Sequence, residues 1–475
     1  MSPRKGILWF RNDLRLHDNE ALLEALNHCE EIIPVYVFDT RIWNGKSGFG
    51  FPKIGEHRAQ FTIQSVLDLK KSLQRKGSDL IVRVGITEDE IFKIARKEKT
   101  SWVYCNRERT REEVNVQDAL EAKLWTVGQE VRFTRGKMLL YTSDLPFPVT
   151  QTPDIFTQFR KEVEKIVPVR PPLTTENMPF PPLKVESEIG EVPTLAKFGI
   201  NEPEPDPRSA FPYKGGETAA LQHLEEYFWD KKLADTYKET RNELLGTDFS
   251  TKFSPWLANG CLSPKMIYQE LLNFENKVKK NDSTYWIYFE LLWRDFFRLM
   301  GKKHGDKIFL LEGPKAQENP NWEINFAAFN QWANGKTGIP FIDANMRELN
   351  QTGFMSNRGR QNVASFLVHD LGLNWKMGAE YFEYKLLDYD PCSNWCNWNY
   401  IAGVGSDPRE NRVFNIAGQA LKYDPEGYFV KTWLPELKTL PADKVHHPEN
   451  LSEFEMEEYG VRLNVDYPSP MLDFH

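Results

Sequence analysis

Between Asp388 and Gly403 the chain reads DYDPCSNWCNWNYIAG, a dense run of polar and aromatic side chains. Asp390 followed by Pro391 predicts a helix start: a carboxylate N-cap, then a proline at the first helical position, where its missing N–H costs nothing. A helix beginning there carries Asn394 and Trp398 on one face, four residues apart. Asp388 and Asp390 would sit at its positive end. An amide, two carboxylates and an indole would then share one small volume, suited to the edge and face of a flat heterocycle. The same residues also read as a capped core helix with a buried tryptophan, and the stretch alone does not choose.

Three further segments carry chemistry. Ser250-Thr251-Lys252-Phe253-Ser254-Pro255 offers three hydroxyls, a cation and a helix start, which together would suit a phosphate or pyrophosphate; capping alone also explains Ser254. Glu290, Trp293 and Arg294 stand at i, i+3 and i+4 on an otherwise apolar helix, where charge is costly unless paired. That spacing fits an internal salt bridge or a ligand site equally. Asn357-Arg358-Gly359-Arg360-Gln361 opens a helix with two arginines at the end the dipole disfavours, so Asp388 and Asp390 or a phosphate should offset them. Trp322, Trp375 and Trp398 are far apart in sequence, and nothing local groups them.

The elements around these segments fall into two halves. Lys5–Phe10, Glu31–Phe38, Leu80–Val84, Trp102–Tyr104 and Val131–Phe133 have strand character, the first four through β-branched and aromatic residues. Helical patterns lie between them at Asn19–Leu26, Arg58–Arg75, Glu88–Lys97 and Glu112–Val127. Alternation of this kind predicts an open parallel sheet with helices on both faces over residues 1–135. No G-x-G-x-x-G or G-x-x-x-x-G-K-[ST] occurs in it. The charged loop Arg11–Asn19 reads as a solvated turn that caps the next helix through Asp18. Residues 136–216 are proline-punctuated and predict an extended interdomain connector with one helix, Pro153–Val167.

From residue 217 onward the pattern is helical: Thr218–Trp229, Pro264–Asn276, Thr284–His304, Pro340–Thr352, Arg358–Leu371 and Met377–Leu387 all show 3.6-residue periodicity. Ser254-Pro255 and Ser263-Pro264 read as N-cap and N1 pairs. Past Tyr400 a polar stretch (Asp407-Pro408-Arg409-Glu410-Asn411-Arg412) leads to Phe429, and the last thirty or so residues read as a loosely packed or disordered tail.

Composition narrows the class. The 475 residues carry a net charge of −8, which argues against a uniformly basic nucleic-acid binder. Ten of the 14 tryptophans follow residue 210. Five cysteines without a C-x-x-C pair predict neither a disulfide framework nor a metal site. No apolar run approaches the roughly 20 residues of a membrane span, and no leader segment precedes the first strand pattern, so a cytoplasmic protein is expected.

The ordered series from Trp9-Phe10-Arg11-Asn12-Asp13-Leu14-Arg15 through Lys336-Thr337-Gly338-Ile339-Pro340-Phe341-Ile342-Asp343-Ala344-Asn345-Met346-Arg347 to about Phe429 resembles the cryptochrome/photolyase flavoproteins, most of all their DASH-type members. The resemblance implies an α/β antenna domain (1–135), a wrapping connector (136–216) and an all-α C-terminal FAD-binding domain (217–475). It places Tyr237, Ser250, Thr251, Lys252, Phe253 and Ser254 around the FAD phosphates and ribityl chain. Asn394 would face flavin N5, Asp388 and Asp390 the flavin and adenine edge, with Arg360 as charge partner and Arg294 also at the cofactor. Trp398, Trp375 and Trp322 fall on an electron-transfer chain to the surface. Glu290, Trp293, Asn357, Gln361 and Tyr400 align with the cavity that takes a flipped pyrimidine dimer. Gln361 and Tyr400 replace Met- and Trp-type positions, which implies a preference for single-stranded DNA. Glu108 matches a residue that contacts a folate antenna, 5,10-methenyltetrahydrofolate, in some relatives. The implied protein is a monomeric, blue-light-driven lyase for cyclobutane pyrimidine dimers. Its rivals are a signalling photoreceptor with little or no repair turnover, and a flavin-free helical nucleic-acid binder.

Overall fold

The structure, a computed structural model, describes residues 4–318, 321–409 and 413–472; of the polar stretch Asp407–Arg412, positions 410–412 lie outside it. Strands β1 (Lys5–Trp9), β2 (Glu31–Asp39), β3 (Ile81–Gly85), β4 (Trp102–Asn106) and β5 (Glu130–Thr134) form one parallel sheet in the order β3-β2-β1-β4-β5. Successive side chains alternate between faces. Ile7, Trp9, Ile33 and Val35 pack on Ile91, Ile94, Leu120 and Leu124 of the helices Thr87–Glu98 and Arg111–Trp125. Leu8, Phe10, Ile32 and Phe38 face the other way, onto Leu22 and Ala25 of Glu20–His28 and Val66, Leu69 and Leu73 of Glu56–Arg75. That second layer is continuous with the core of the helical half.

The strand order reverses between β1 and β4, the point at which open α/β sheets commonly take a ligand. Here the loops after these two strands take the helical half instead. Arg11–Asn19 is not the solvated turn its charge predicts: Asp13, Arg15, His17, Asp18 and Asn19 are all buried. Arg15 donates to the carbonyls of Asp18 (3.0 Å), Gly136 (2.9 Å) and Gly260 (2.8 Å). The Ser263 backbone N–H donates to His17 Nε2 at 3.2 Å, so the imidazole proton sits on Nδ1, 2.5 Å from Glu217. Asp18 pairs with Lys265 at 2.6 Å, and Asn19 is the residue that caps the following helix, through the Leu22 N–H at 3.1 Å. Buried charge of this kind persists only when paired, and the partners come from the other half of the chain. Gly260 (φ +71°) makes the close approach possible, since a Cβ there would lie 2.1 Å from the Asn12 carbonyl oxygen.

The connector's one α-helix is shorter than predicted, Phe156–Val163. Ile189 accepts from the Val82 N–H at 2.8 Å, and Leu183 and Val185 cover the outer face. Helices run at Glu217–Glu225, Pro264–Lys277, Asp282–His304, Phe326–Ala333, Pro340–Thr352, Asn357–Ser365, Trp375–Lys385 and Pro391–Ile401. The first and sixth of these end in π turns (Glu226–Asp230, Phe366–Asp370), which the periodicity had merged into them. Ser263 caps its helix as read, but Ser254 does not: Phe253 occupies the cap position of the six-residue helix Ser254–Asn259.

The expectation of a loose tail is overturned. Val461 and Tyr467 are buried, and the Tyr467 hydroxyl donates to Asp343 Oδ2 at 2.6 Å. Asp343 also accepts from the Thr337 and Gly338 N–H groups, so the tail closes a turn inside the helical core. Tyr467→Phe should therefore destabilise the protein by about 1–3 kcal/mol, the cost of a buried carboxylate oxygen losing a partner, read as a lowered unfolding midpoint in urea.

Candidate active-site cleft

Inside the helical half lies a cavity of about 270 Å³ with an adjoining lobe of about 230 Å³. Together they reach the size of small-molecule sites. The loop Phe249–Ser254, the start of Asn357–Ser365, and the Asp388–Ile401 stretch form its walls.

The helix Pro391–Ile401 starts as its sequence dictates. Asp390 Oδ1 accepts from the Ser393 N–H at 2.8 Å, and Pro391 takes the first helical position. Asn394 and Trp398 both face the cavity. The Asn394 amide donates to the Ala379 carbonyl at 3.0 Å, which fixes its plane. Trp398 fits because position 378 is glycine: a Cβ there would lie 2.2 Å from Cη2 of the indole. Phe382 and Trp332 enclose the ring, with centroids at 5.1 and 6.5 Å.

The two carboxylates divide their partners. Arg360 donates to Asp388 Oδ2 at 2.9 Å and to the Met355 carbonyl at 2.9 Å. Asp388 Oδ1 is buried and has no hydrogen-bond partner among the described residues. Asp390 instead meets Arg298 at 3.1 Å, Arg298 meets Glu108 at 3.1 Å, and Glu108 binds Lys137. Burial alone would raise both acids. The cations win, holding Glu108 down at about 2 and Asp390 below the usual carboxylate range. Lys137 goes the other way, lowered by burial against the pull of Glu108.

The loop opposite supplies hydroxyls. Tyr237, Ser250, Thr251, Phe253 and Ser254 line the cavity, Ser250 and Lys252 with φ of +56° each. Left-handed non-glycine residues cost on the order of 1–3 kcal/mol each and concentrate at ligand sites. Lys252 is bound by its own loop: its ammonium donates to the Phe249 carbonyl and to Ser250 Oγ (3.2 Å) and lies 3.0 Å from the Phe249 ring centroid. Burial lowers its pKa well below the lysine range, although Glu348 opposes the shift.

Glu290, Trp293 and Arg294 do not converge. Glu290 faces the cavity and pairs with Arg241 at 2.5 Å, so the Glu290–Arg294 bridge that the spacing allows is not formed. Burial raises the Glu290 pKa, and Arg241 partly offsets it. Arg294 lines the second lobe and donates to the Lys137 (2.9 Å) and Leu257 (3.2 Å) carbonyls. Trp293 turns away to stack on Phe156 at 3.7 Å, and meets Tyr400 edge-on at 6.1 Å. Neither Trp293 nor Tyr400 borders the cavity, whereas Asn357 and Gln361 do; the Tyr400 hydroxyl accepts from Arg409 at 2.9 Å. Trp375 is fully buried, and its Nε1 donates to the Leu311 carbonyl at 3.2 Å. Trp322 is half-buried on a segment whose next residue, Glu323, accepts from the Asn374 N–H at 2.8 Å, so the structure sets these two tryptophan segments side by side. Glu108 belongs to the buried ion chain and also borders a separate cleft of about 400 Å³ with Arg107, Arg109, Arg111 and Lys302.

Sequence reasoning missed Arg241, Arg298 and Phe382. Arg241 lies 49 positions before Glu290, and no local pattern pairs them. Arg298 carried one signal, a charge four residues after Arg294 on a helix with an apolar face. Among the described residues no His, Cys, Asp or Glu cluster could hold a metal ion, and all five cysteines are free.

Arg298→Met should cost about 3–5 kcal/mol, because it leaves Asp390 without its ion-pair partner and Glu108 with Lys137 alone. Calorimetric or denaturant unfolding measures this. The sign with pH also follows. Glu108 is depressed from 4.5 to about 2, so its contribution is full above 4.5 and fades as pH falls toward 2. Glu108→Gln should flatten that part of the acid limb.

A family model described as DNA photolyase matches residues 6–181, and one described as the FAD binding domain of DNA photolyase matches residues 286–475. Cryptochrome DASH of Gloeobacter violaceus is 49% identical, with 100% of this chain and 94% of that protein covered. The crystal structure of Synechocystis cryptochrome superposes with a TM-score of 0.96 at 47% identity, covering 100% of this chain and 98% of the other. The archaeal photolyase of Sulfolobus tokodaii, solved with two FAD molecules, gives 0.79 at 31% identity, covering 99% and 96%. A match this long on both halves, with the site geometry above, shows that the chain belongs to the cryptochrome/photolyase family and groups with its DASH cryptochromes.

Proposed function

We propose that this protein binds FAD in the cleft and uses blue light to split cyclobutane pyrimidine dimers, mainly in single-stranded DNA, as a cytoplasmic monomer. The carrying observation is the unpartnered, buried Asp388 Oδ1 inside a cleft whose opposite wall is built of hydroxyls. A buried carboxylate oxygen without a donor is costly, and a ligand N–H or O–H would satisfy it. Ser250, Thr251, Ser254 and Tyr237 offer donors to a phosphate-bearing portion of the same ligand, and Asn394 and Asp388 offer an amide and a carboxylate to a ring edge. These residues fit FAD. Asp390 takes part through Arg298 and its capping bond. Bound and reduced, FAD supplies the electron that opens the cyclobutane ring.

The protein's own residues then bind and polarise the lesion. Glu290, which faces the cavity, would meet a dimer carbonyl there, and burial shifts its pKa toward the protonated form that can donate as negative charge develops. Asn357 and Gln361 supply polar contacts at the same wall. Trp293 and Tyr400, one layer behind, would shape the rim on which an extruded base rests. A dimer in a single strand owes no unpairing cost, and the polar Gln361 wall is suited to that case. Trp398, Trp375 and Trp322 form the expected supply of electrons to the flavin site. A folate antenna belongs to the same reading. Beside Glu108, burial and the neighbouring Arg298 push Arg109 down to about 10, and a polyanion there would relieve both Arg109 and its neighbours Arg107, Arg111 and Lys302.

Blue-light illumination of a dimer-bearing oligonucleotide with FAD-loaded, pre-reduced protein is the direct test. Repair of single strands in preference to duplex is the expected outcome. No single-strand repair, beside light-dependent binding of a protein partner, would replace this reading with a signalling photoreceptor.

Glu290 sets the pH dependence. Its pKa is raised, so the proton it donates is lost as pH rises through that value, and repair should decline on the alkaline side. Glu290→Gln, which donates at every pH, should flatten that limb while retaining lesion binding.

A further inference from the structure

We propose that His223 is a positioning residue for the cofactor loop: one hydrogen bond to the Thr251 carbonyl holds residues 249–254 in the shape that receives the phosphates. The inference rests on the FAD reading above. His223 lies near the end of Glu217–Glu225 and is 5% exposed. It borders neither lobe of the cavity, whereas Thr251 lines both. Its Nε2 lies 3.0 Å from the Thr251 carbonyl oxygen. A carbonyl only accepts, so the ring proton belongs on Nε2. Nδ1 is buried without a hydrogen-bond partner among the described residues, so nothing there holds the proton in the other tautomer.

Position 251 is where such a bond has most effect. Ser250 and Lys252, on either side of it, both hold left-handed backbone at φ +56°. A loop with two such residues keeps its shape only when its surroundings over-determine it. The Thr251 carbonyl and the Lys252 N–H belong to one trans peptide and point in opposite directions. Fixing the oxygen on His223 therefore aims that N–H away from the imidazole, and it makes no hydrogen bond to the described residues. An open N–H beside the hydroxyls of Ser250, Thr251 and Ser254 is a donor for a phosphate oxygen.

The imidazole is itself held in place. Tyr213, Trp256, Phe253 and Tyr227 surround it, with ring centroids at 4.5, 5.2, 5.6 and 6.4 Å. Burial lowers its pKa; the Thr251 bond and Glu226 oppose that shift, while Lys252 and Lys231 reinforce it. A neutral ring carries one N–H, and the geometry directs it to Thr251.

His223→Gln and His223→Met test the clamp, since the two new side chains match in length and only the amide donates. Titration of the flavin-free, full-length chain with FAD, ADP and riboflavin, followed by fluorescence and calorimetry, reads the result. His223→Met should weaken FAD and ADP by about tenfold, the scale of one lost hydrogen bond, and leave riboflavin, which lacks phosphate, unchanged. His223→Gln should bind all three within about twofold of wild type, because its amide restores the bond. In the wild type, nitrogen-edited NMR should place the His223 proton on Nε2 at neutral pH, a readout that needs no variant to fold. The clamp is overturned if His223→Met binds FAD as wild type does, if it weakens riboflavin as much as FAD, or if His223→Gln is equally weak. A proton found on Nδ1 overturns it too. Wild-type protein that takes up no FAD at all would instead overturn the cofactor reading on which the clamp depends.

Discussion

Four buried charges in line, Lys137, Glu108, Arg298 and Asp390, join the parts of this molecule at their most expensive point. Glu108 comes from the loop after β4, Lys137 from the connector, Arg298 from the long helix Asp282–His304, and Asp390 from the cap of Pro391–Ile401. Each ion gives up hydration, and only the alternation of sign along the chain offsets that loss. The arrangement tolerates one relative placement of the two halves. It also sets the cleft, because the oxygen of Asp390 that does not face Arg298 starts the helix bearing Asn394 and Trp398. The geometry of the site is thus inherited from an ion chain that lies mostly outside it.

The same economy explains how the sheet is used. Its switch point between β1 and β4 meets Gly260, Ser263 and Lys265 of the helical half, through Arg15, His17 and Asp18. The candidate cleft lies within the helices, where Ser250 and Lys252 hold left-handed backbone and Asp388 keeps an oxygen unsatisfied. Local strain and an orphaned acceptor are costs that a bound cofactor would relieve, and they coincide here in one cavity.

Aromatic packing behind Trp398 joins distant parts of the chain. Phe382, Trp332 and Tyr381 close the core between Phe326–Ala333 and Trp375–Lys385, and the loop after β2 reaches across to the same cluster, with Phe51 5.5 Å from both Phe329 and Tyr381.

Much of this was readable without coordinates. Strand and helix patterns, the Asp390-Pro391 start and the shared face of Asn394 and Trp398 rest on short-range periodicity and capping chemistry, which act within a few residues; the family resemblance rests on an ordered series of matching residue runs. Charge partners were not readable in the same way. Glu290 sits four residues from Arg294 yet pairs with Arg241; Asp18 pairs with Lys265 and leaves its helix to Asn19; Tyr467, in an apparently loose tail, buries its hydroxyl on Asp343. Backbone propensity is local, whereas desolvated charge takes whichever partner folding brings within reach. The elements were therefore determined by the sequence itself, and only the tertiary structure decided which of their polar groups meet.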